Sequence, residues 1–161
     1  MQLLTQKALR ASFVNTSLRE RNALTLPADF DDLAWTGLDF LAWRDNKSPM
    51  LGYVVVELDD EPVGVLLRQA EGRPRSRAQC SWCEDIQLPN DVIFSSAKRA
   101  GEAGRRGDTI GTLVCANFEC SVNVRKRPPS AYIGFDVEAA RAHRIAALGD
   151  HVRNFARDIR G

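Results

Sequence analysis

Histidine is nearly absent from these 161 residues: His143 and His151, eight positions apart, are the whole supply. That removes metal centres built from imidazole clusters, including nucleases that bind their ion through a histidine set beside a zinc finger. Cysteine is scarce as well, with four residues and none outside positions 80–120. No apolar run approaches the roughly 18 residues that a membrane-spanning helix needs. Gln2, Thr5, Gln6 and Lys7 interrupt Met1–Arg10 where a secretory signal would need its apolar core. The expectation is a cytoplasmic protein with no membrane partner. Internal repeats and low-complexity tracts are missing too. The glycine-rich stretch 101–107 is not followed by Gly-Lys-Ser/Thr, which argues against a phosphate-cradling loop.

What is present is concentrated. The four cysteines fall in two close pairs, Cys80-Ser81-Trp82-Cys83 and Cys115-Ala116-Asn117-Phe118-Glu119-Cys120, with 31 residues between them. Two close pairs can close a tetrahedral Zn²⁺ site. In a reducing compartment such pairs favour metal over disulfide, and a chain of this length does not need disulfide staples. A redox C-x2-C and an iron–sulfur centre are the competing readings, but no βαβ pattern of the thioredoxin kind surrounds the pair. Four thiolates fill the zinc coordination sphere and leave no position for an activated water, so the expected role is structural and the protein is expected not to be an enzyme.

Charge is small overall, +1, but unevenly spread. Residues 1–70 carry 7 basic and 10 acidic groups, whereas residues 71–130 carry 10 basic and 7 acidic. The cysteine region therefore lies in the most basic part of the chain, which fits an acidic partner, protein or nucleic acid.

Taken in order, Thr5 caps a short amphipathic helix over about 6–14, and Ser17-Leu18-Arg19-Glu20 has the capping-box pattern of a second helical turn. Residues 26–38, rich in Asp, read as an irregular loop pinned by Trp35, and 38–44 with Phe40, Leu41 and Trp43 reads as core. Leu51–Leu58 and Val63–Arg68 form a hairpin around a four-residue loop, Asp59 to Pro62, with Gly64 as a bulge. Arg73, Arg75 and Arg77 alternate along a breaker-rich connection, so an extended chain points all three one way. Glu84 to Pro89 is a loop. Val92–Lys98 and Thr109–Val114 form a second hairpin whose tip is the glycine-rich loop 100–107. A helix over 116–127 carries Cys120, weakened by the β-branched Val122 and Val124. Ala131–Phe135 is a short extended piece. A long helix from Val137 to Arg160 presents Ile145, Leu148, Val152, Phe155 and Ile159 as one stripe. The order knuckle, hairpin, second cysteine pair at a strand-to-helix junction is that of a treble-clef zinc finger. The fold class is α+β: antiparallel hairpins, a four-cysteine treble clef and a long C-terminal helix.

Several of these segments together resemble one family. Trp35-x-x-Leu38-Asp39-Phe40-Leu41-x-Trp43, the Tyr53-Val54-Val55 strand, Cys80-x-x-Cys83, Phe94-Ser95-Ser96-x-Lys98, the run Gly107 to Cys115 and Cys120 look like the treble-clef domain of the elongation factor G-binding proteins. These are the FusB type, which confers fusidic acid resistance in some bacteria. The resemblance covers nearly the whole chain. It implies one domain over 1–161, made of a helix and hairpin subregion (1–78), the zinc finger (79–127) and a C-terminal helix (131–161). The N-terminal helical bundle of the family's resistance proteins is expected to be absent. It implies zinc ligation by Cys80, Cys83, Cys115 and Cys120, and binding of elongation factor G that promotes its release from the ribosome. Contact roles carry over to Phe94 and Lys98.

Two functions compete at this point. In one, the protein is a non-enzymatic module that binds elongation factor G, with Phe94 as an apolar anchor and Lys98, Arg99, Arg105 and Arg106 against an acidic surface. In the other it binds RNA or the ribosome, with the basic hairpin, the alternating arginines and Arg125-Lys126-Arg127 tracking phosphates. The low net charge and the lack of an aromatic-rich basic groove count against the second.

Overall fold

Two apolar strands, β2 (Leu51–Leu58) and β3 (Glu61–Gln69), are buried on both faces and form the middle of the molecule. In the computed structural model, which describes residues 1–72, 76–85, 91–129 and 132–161, they lie within a five-stranded antiparallel sheet. Its order is β1 (Leu41–Arg44), β2, β3, β4 (Val92–Lys98), β5 (Thr109–Cys115), the order of the chain itself. Arg73 and Arg75 of the arginine series, Ile86 to Pro89 of the loop after Cys83, and Ala131 lie outside the described residues.

Side chains alternate across a strand, so β2 and β3 feed two cores. Val54, Val56, Leu58, Val63, Val65 and Leu67 face the C-terminal helix α5 (Val137–Arg160) and the cysteine region. Leu148, Val152, Phe155 and Ile159 of α5 are buried there, as the 3–4 spacing predicts. Tyr53, Val55 and Leu66 face the other way, onto Leu9, Phe13, Leu24, Phe30, Trp35, Leu41 and Trp43. Phe13 meets the rings of Tyr53 and Trp43 edge-on at 5.7 and 6.3 Å, a preferred aromatic geometry.

The first hairpin departs from expectation at its turn. Glu61 and Pro62 pair with Leu58 and Glu57, which leaves Asp59-Asp60 as a two-residue turn with φ of 53° and 64°. Positive φ at both positions matches the right-handed twist of the flanking strands, and Asp tolerates it better than most residues. Gly64 is not a bulge: it pairs in register with Val55. It is small because a Cβ there would come within 2.9 Å of the Phe13 ring and 2.7 Å of Ser12 Oγ.

That close approach also explains why helix α1 (Gln6–Ala11) stops short of residue 14. Residues 12–14 leave the helix to pair with β3: Val14 N–H donates to Gly64 O and Gly64 N–H to Ser12 O, both at 3.0 Å. The Asn15 amide continues the pairing, accepting from Leu66 N–H at 2.8 Å and donating to Leu66 O at 3.0 Å and Lys98 O at 3.1 Å. Only Arg68 and Gln69 of β3 pair with β4. The outer edge of β3 is thus shared by the N-terminal segment, one side-chain amide and a strand, and its backbone groups are satisfied in turn. The helix that follows, α2 (Leu18–Ala23), is closed by the reciprocal Ser17–Glu20 capping box.

The second hairpin is regular from Val92↔Cys115 to Lys98↔Thr109. Its tip is a helical turn, α3 (Gly101–Arg105), where a glycine-rich loop was expected. The turn is closed by Asp108 N–H on Ala103 O and Arg99 N–H on Asp108 O, at 3.1 and 3.0 Å. Ala100 N–H donates to Ile159 O at 2.8 Å and fastens the tip to the end of α5.

Candidate metal centre

Each cysteine sits where an element begins, ends or turns. Cys80 and Cys83 flank a tight turn in which Glu84 N–H donates to Cys80 O at 3.0 Å. Cys115 is the last residue of β5, and Cys120 the first of helix α4 (Cys120–Arg125). The helix expected from residue 116 begins four residues later because 116–119 form a second knuckle, with Phe118 at φ 60°. Glu84 and Phe118 are the two non-glycine residues held in the left-handed region beside the cysteines. Such strain persists when the surroundings over-determine it.

The four Sγ atoms lie within 4.8 Å of one another and all four residues are buried. Cys83 and Cys115 Sγ are 3.5 Å apart, and Cys80 and Cys120 Sγ 3.7 Å. These are not disulfides. A tetrahedron of sulfurs about Zn²⁺ at ~2.3 Å has edges of about 3.8 Å, so the spacing fits the ion. The crowding of four buried thiols points the same way. Thiols of Cys115, Cys120 and Cys83 donating to Cys80 hold it far below the ordinary thiol range. The hydrogen bonds with Cys115, Cys80 and Cys83, and then burial, push Cys120 far above it. Four thiolates cannot coexist here without a cation, and a dication removes that conflict.

Aromatic rings and cations surround the set. Trp82, between Cys80 and Cys83, is 2% exposed. Its ring stacks on Phe118 at 6.3 Å and meets Phe40 and Phe155 at 5.9 and 5.6 Å, which joins the knuckles to the core and to α5. His151 is half-buried, and its Nδ1–H donates to Trp82 O at 2.9 Å, so it braces a knuckle from α5 without entering the sulfur set. His143 is exposed. The Arg44 guanidinium lies 4.9 Å from the Phe118 ring centroid and its Nε donates to Ala116 O at 2.7 Å. A cation against the second knuckle offsets the net charge near −2 of a zinc tetrathiolate.

The knuckles also reach the second hairpin directly. Ser81 N–H donates to Leu113 O at 2.8 Å. Leu113 is the register partner of Phe94. On the face of β4 turned away from α5, Phe94 is 44% exposed and its ring lies over Gly111, where a Cβ would meet it at 2.4 Å. Lys98 is exposed on the same face, and Arg105 and Arg106 are exposed at the tip; Arg99 is half-buried. Arg106 is 3.5 Å from Glu102. Phe94 and the four cations therefore line one hairpin, apart from the sulfurs but clamped to them at its base.

Some of what shapes this centre is not signalled by motif. Asn123 and Arg44 touch it through tertiary contacts, and the sole hint is that Asn123 follows Cys120 by three residues and so shares its helical face. Asp31 and Asp32 lie exposed in a 3-10 turn, and Asp59 and Asp60 in the hairpin turn, as turn acids. Among the described residues no helix is long and apolar enough to cross a membrane.

Searches of curated proteins and of solved structures gave no match. The family model described as the FBP C-terminal treble-clef zinc-finger matches residues 8–159, which takes in the four cysteines, both hairpins and α5 to Ile159. Its zinc-finger character and the buried four-sulfur set make Zn²⁺ the cofactor. The architecture and the family match agree, and the chain belongs to the FBP C-terminal treble-clef zinc-finger family.

Proposed function

We propose that this protein is a zinc-clamped, non-enzymatic binding module for translation elongation factor G. In this reading Cys80, Cys83, Cys115 and Cys120 ligate Zn²⁺ and the second hairpin meets the factor. The observation that carries it is the outer face of β4 and β5. Phe94 stands 44% exposed there, with Lys98 exposed four residues along on the same face and Arg105 and Arg106 exposed at the tip. An apolar anchor with cations farther along the same hairpin suits an acidic protein surface, with the charges setting on-rate and specificity. Modulating the factor's release from the ribosome follows the family resemblance, and a closed tetrathiolate offers no site for catalysis.

Binding to RNA has less support. Arg125 makes a two-pronged contact with Asp39, at 2.6 and 3.0 Å, and Lys126 Nζ donates to Asn123 Oδ1 at 2.7 Å. Two of the three cations in Arg125-Lys126-Arg127 are thus engaged within the protein.

Calorimetry of the zinc-loaded protein with purified elongation factor G tests the proposal. We expect binding at micromolar concentration and a loss of tenfold or more in the Phe94→Ala, Lys98→Ala double variant. No binding at tens of micromolar overturns the partner, and full affinity in the double variant moves the site off this hairpin. Binding to RNA instead, weakening steeply as salt rises from about 50 mM, would favour the second reading.

A further inference from the structure

One buried polar side chain beside the sulfurs is used by neither the core nor the hairpin surface. Asn123 lies in the middle of α4 and is 3% exposed. Its Nδ2 is 3.5 Å from Cys115 Sγ and 4.0 Å from Cys83 Sγ, and its Oδ1 accepts from Lys126 Nζ at 2.7 Å. The orientation of this amide is fixed by chemistry. An ammonium can only donate, so the atom it touches is the oxygen. A metal-bound thiolate can only accept, so the atom facing it is the nitrogen. An amide is the side chain of this size that satisfies both at once. A carboxylate at this position would turn negative charge onto the sulfurs, and a methyl group would leave both partners without a bond.

The helix that carries the amide is itself anchored. Asn123 O accepts from Arg144 Nη2 of α5 at 3.0 Å, and Asn123 N–H donates to Glu119 O at 2.9 Å. The aim of the amide is therefore set by two backbone bonds and by burial. Cys80 receives a donor of another kind, the backbone N–H of Trp82 at 3.4 Å. Lys126 is exposed, so its charge would be screened by water if the amide did not connect it inward.

We infer that Asn123 and Lys126 form a two-residue relay that carries positive charge from the surface onto the Cys115 and Cys83 thiolates and so governs how tightly the centre holds its metal. Hydrogen bonds to a bound thiolate lower the energy of its lone pairs and its readiness to be displaced, and Lys126 polarises the amide that supplies them. Both are positioning residues, since neither is placed to ligate the ion.

The relay is tested on the full chain loaded with Zn²⁺ and, separately, with Co²⁺. Release of zinc to an excess of a chromophoric chelator should be at least tenfold faster in Asn123→Ala and about threefold faster in Lys126→Met, while Lys126→Arg stays near the parent rate. The thiolate-to-cobalt charge-transfer band should move to lower energy in Asn123→Ala and Lys126→Met, a change that loss of packing alone would not give. The double variant should release zinc no faster than Asn123→Ala, because without the amide the ammonium has no route to sulfur. Lys126→Met with parental release and an unshifted band overturns the relay, as does a double variant whose rates multiply. If Asn123→Ala does not fold, the exposed Lys126→Met variant decides the matter alone.

Discussion

Asp45 is a buried acid that accepts four hydrogen bonds. One carboxylate oxygen accepts from Lys47 and Ser48 N–H and the other from Thr25 and Tyr53 hydroxyls, all at 2.8 Å. Burial alone would raise its pKa, but the hydrogen bonds from Tyr53, Thr25, Ser48 and Lys47 outweigh burial and hold it below the ordinary value. Burial first, then the bond to Asp45, pushes the Tyr53 phenol well above its own. The Asp45 contribution to stability is therefore complete above the unfolded value near about pH 3.9 and is lost as pH falls through the lower folded value. That of Tyr53 is complete below about pH 10 and is lost as pH rises through its raised folded value. Tyr53→Phe removes one of the two hydroxyl donors to a buried carboxylate oxygen and should cost about 1–3 kcal/mol at pH 7. Urea unfolding with zinc saturating checks this, and the gap from the parent should narrow as Asp45 protonates at acid pH. Two of its partners are local, but its hydroxyl donors lie 20 residues back in Thr25 and 8 residues on in Tyr53.

Elements that declare themselves by periodicity were legible, and those shaped by a neighbour were not. β2, β4 and α5 carry their apolar spacing internally, and α5 begins and ends at the expected Val137 and Arg160. The cysteine pairs were legible for the same reason: their ligand chemistry depends on short spacing. Helix α1 ends early because Gly64 of β3 recruits residues 12–14, and α4 starts late because the second knuckle needs 116–119 outside the helix. The hairpin tip illustrates the same limit. Gly104 reads as a flexible loop residue, yet a Cβ there would lie 1.8 Å from Arg99 O. Its smallness is what allows α3 to fold back over the end of β4. Gly104→Ala should force the turn open and destabilise by about 1–3 kcal/mol, as overpacking does. Urea unfolding should register the loss, while zinc affinity measured by chelator competition stays at the parent level, because the tip is the end of the hairpin remote from the sulfurs.

Across the whole molecule the zinc centre is a junction between the hairpin and α5. Ser81 ties it to β5, Trp82 packs on Phe155 of α5, and His151 of α5 returns a bond to Trp82 O. Removing the ion leaves four buried thiols with no shared partner, and folding and binding are coupled in such sites. Hydrogen exchange after zinc extraction should therefore rise across the described parts of 80–125 and along the middle of α5. Protection in α1, whose Leu9 lies in the second core, should persist. Unchanged exchange over 80–125 would mean that the metal is not structural.

The stitching of residues 12–15 along β3 has a consequence of another kind. Without them the N–H and C=O groups of Gly64 and Leu66 would lose the bonds they make to Ser12, Val14 and Asn15. An open strand edge of this kind is a template for another copy of the chain. Residues 12–15 thus close a strand edge that would otherwise stand open.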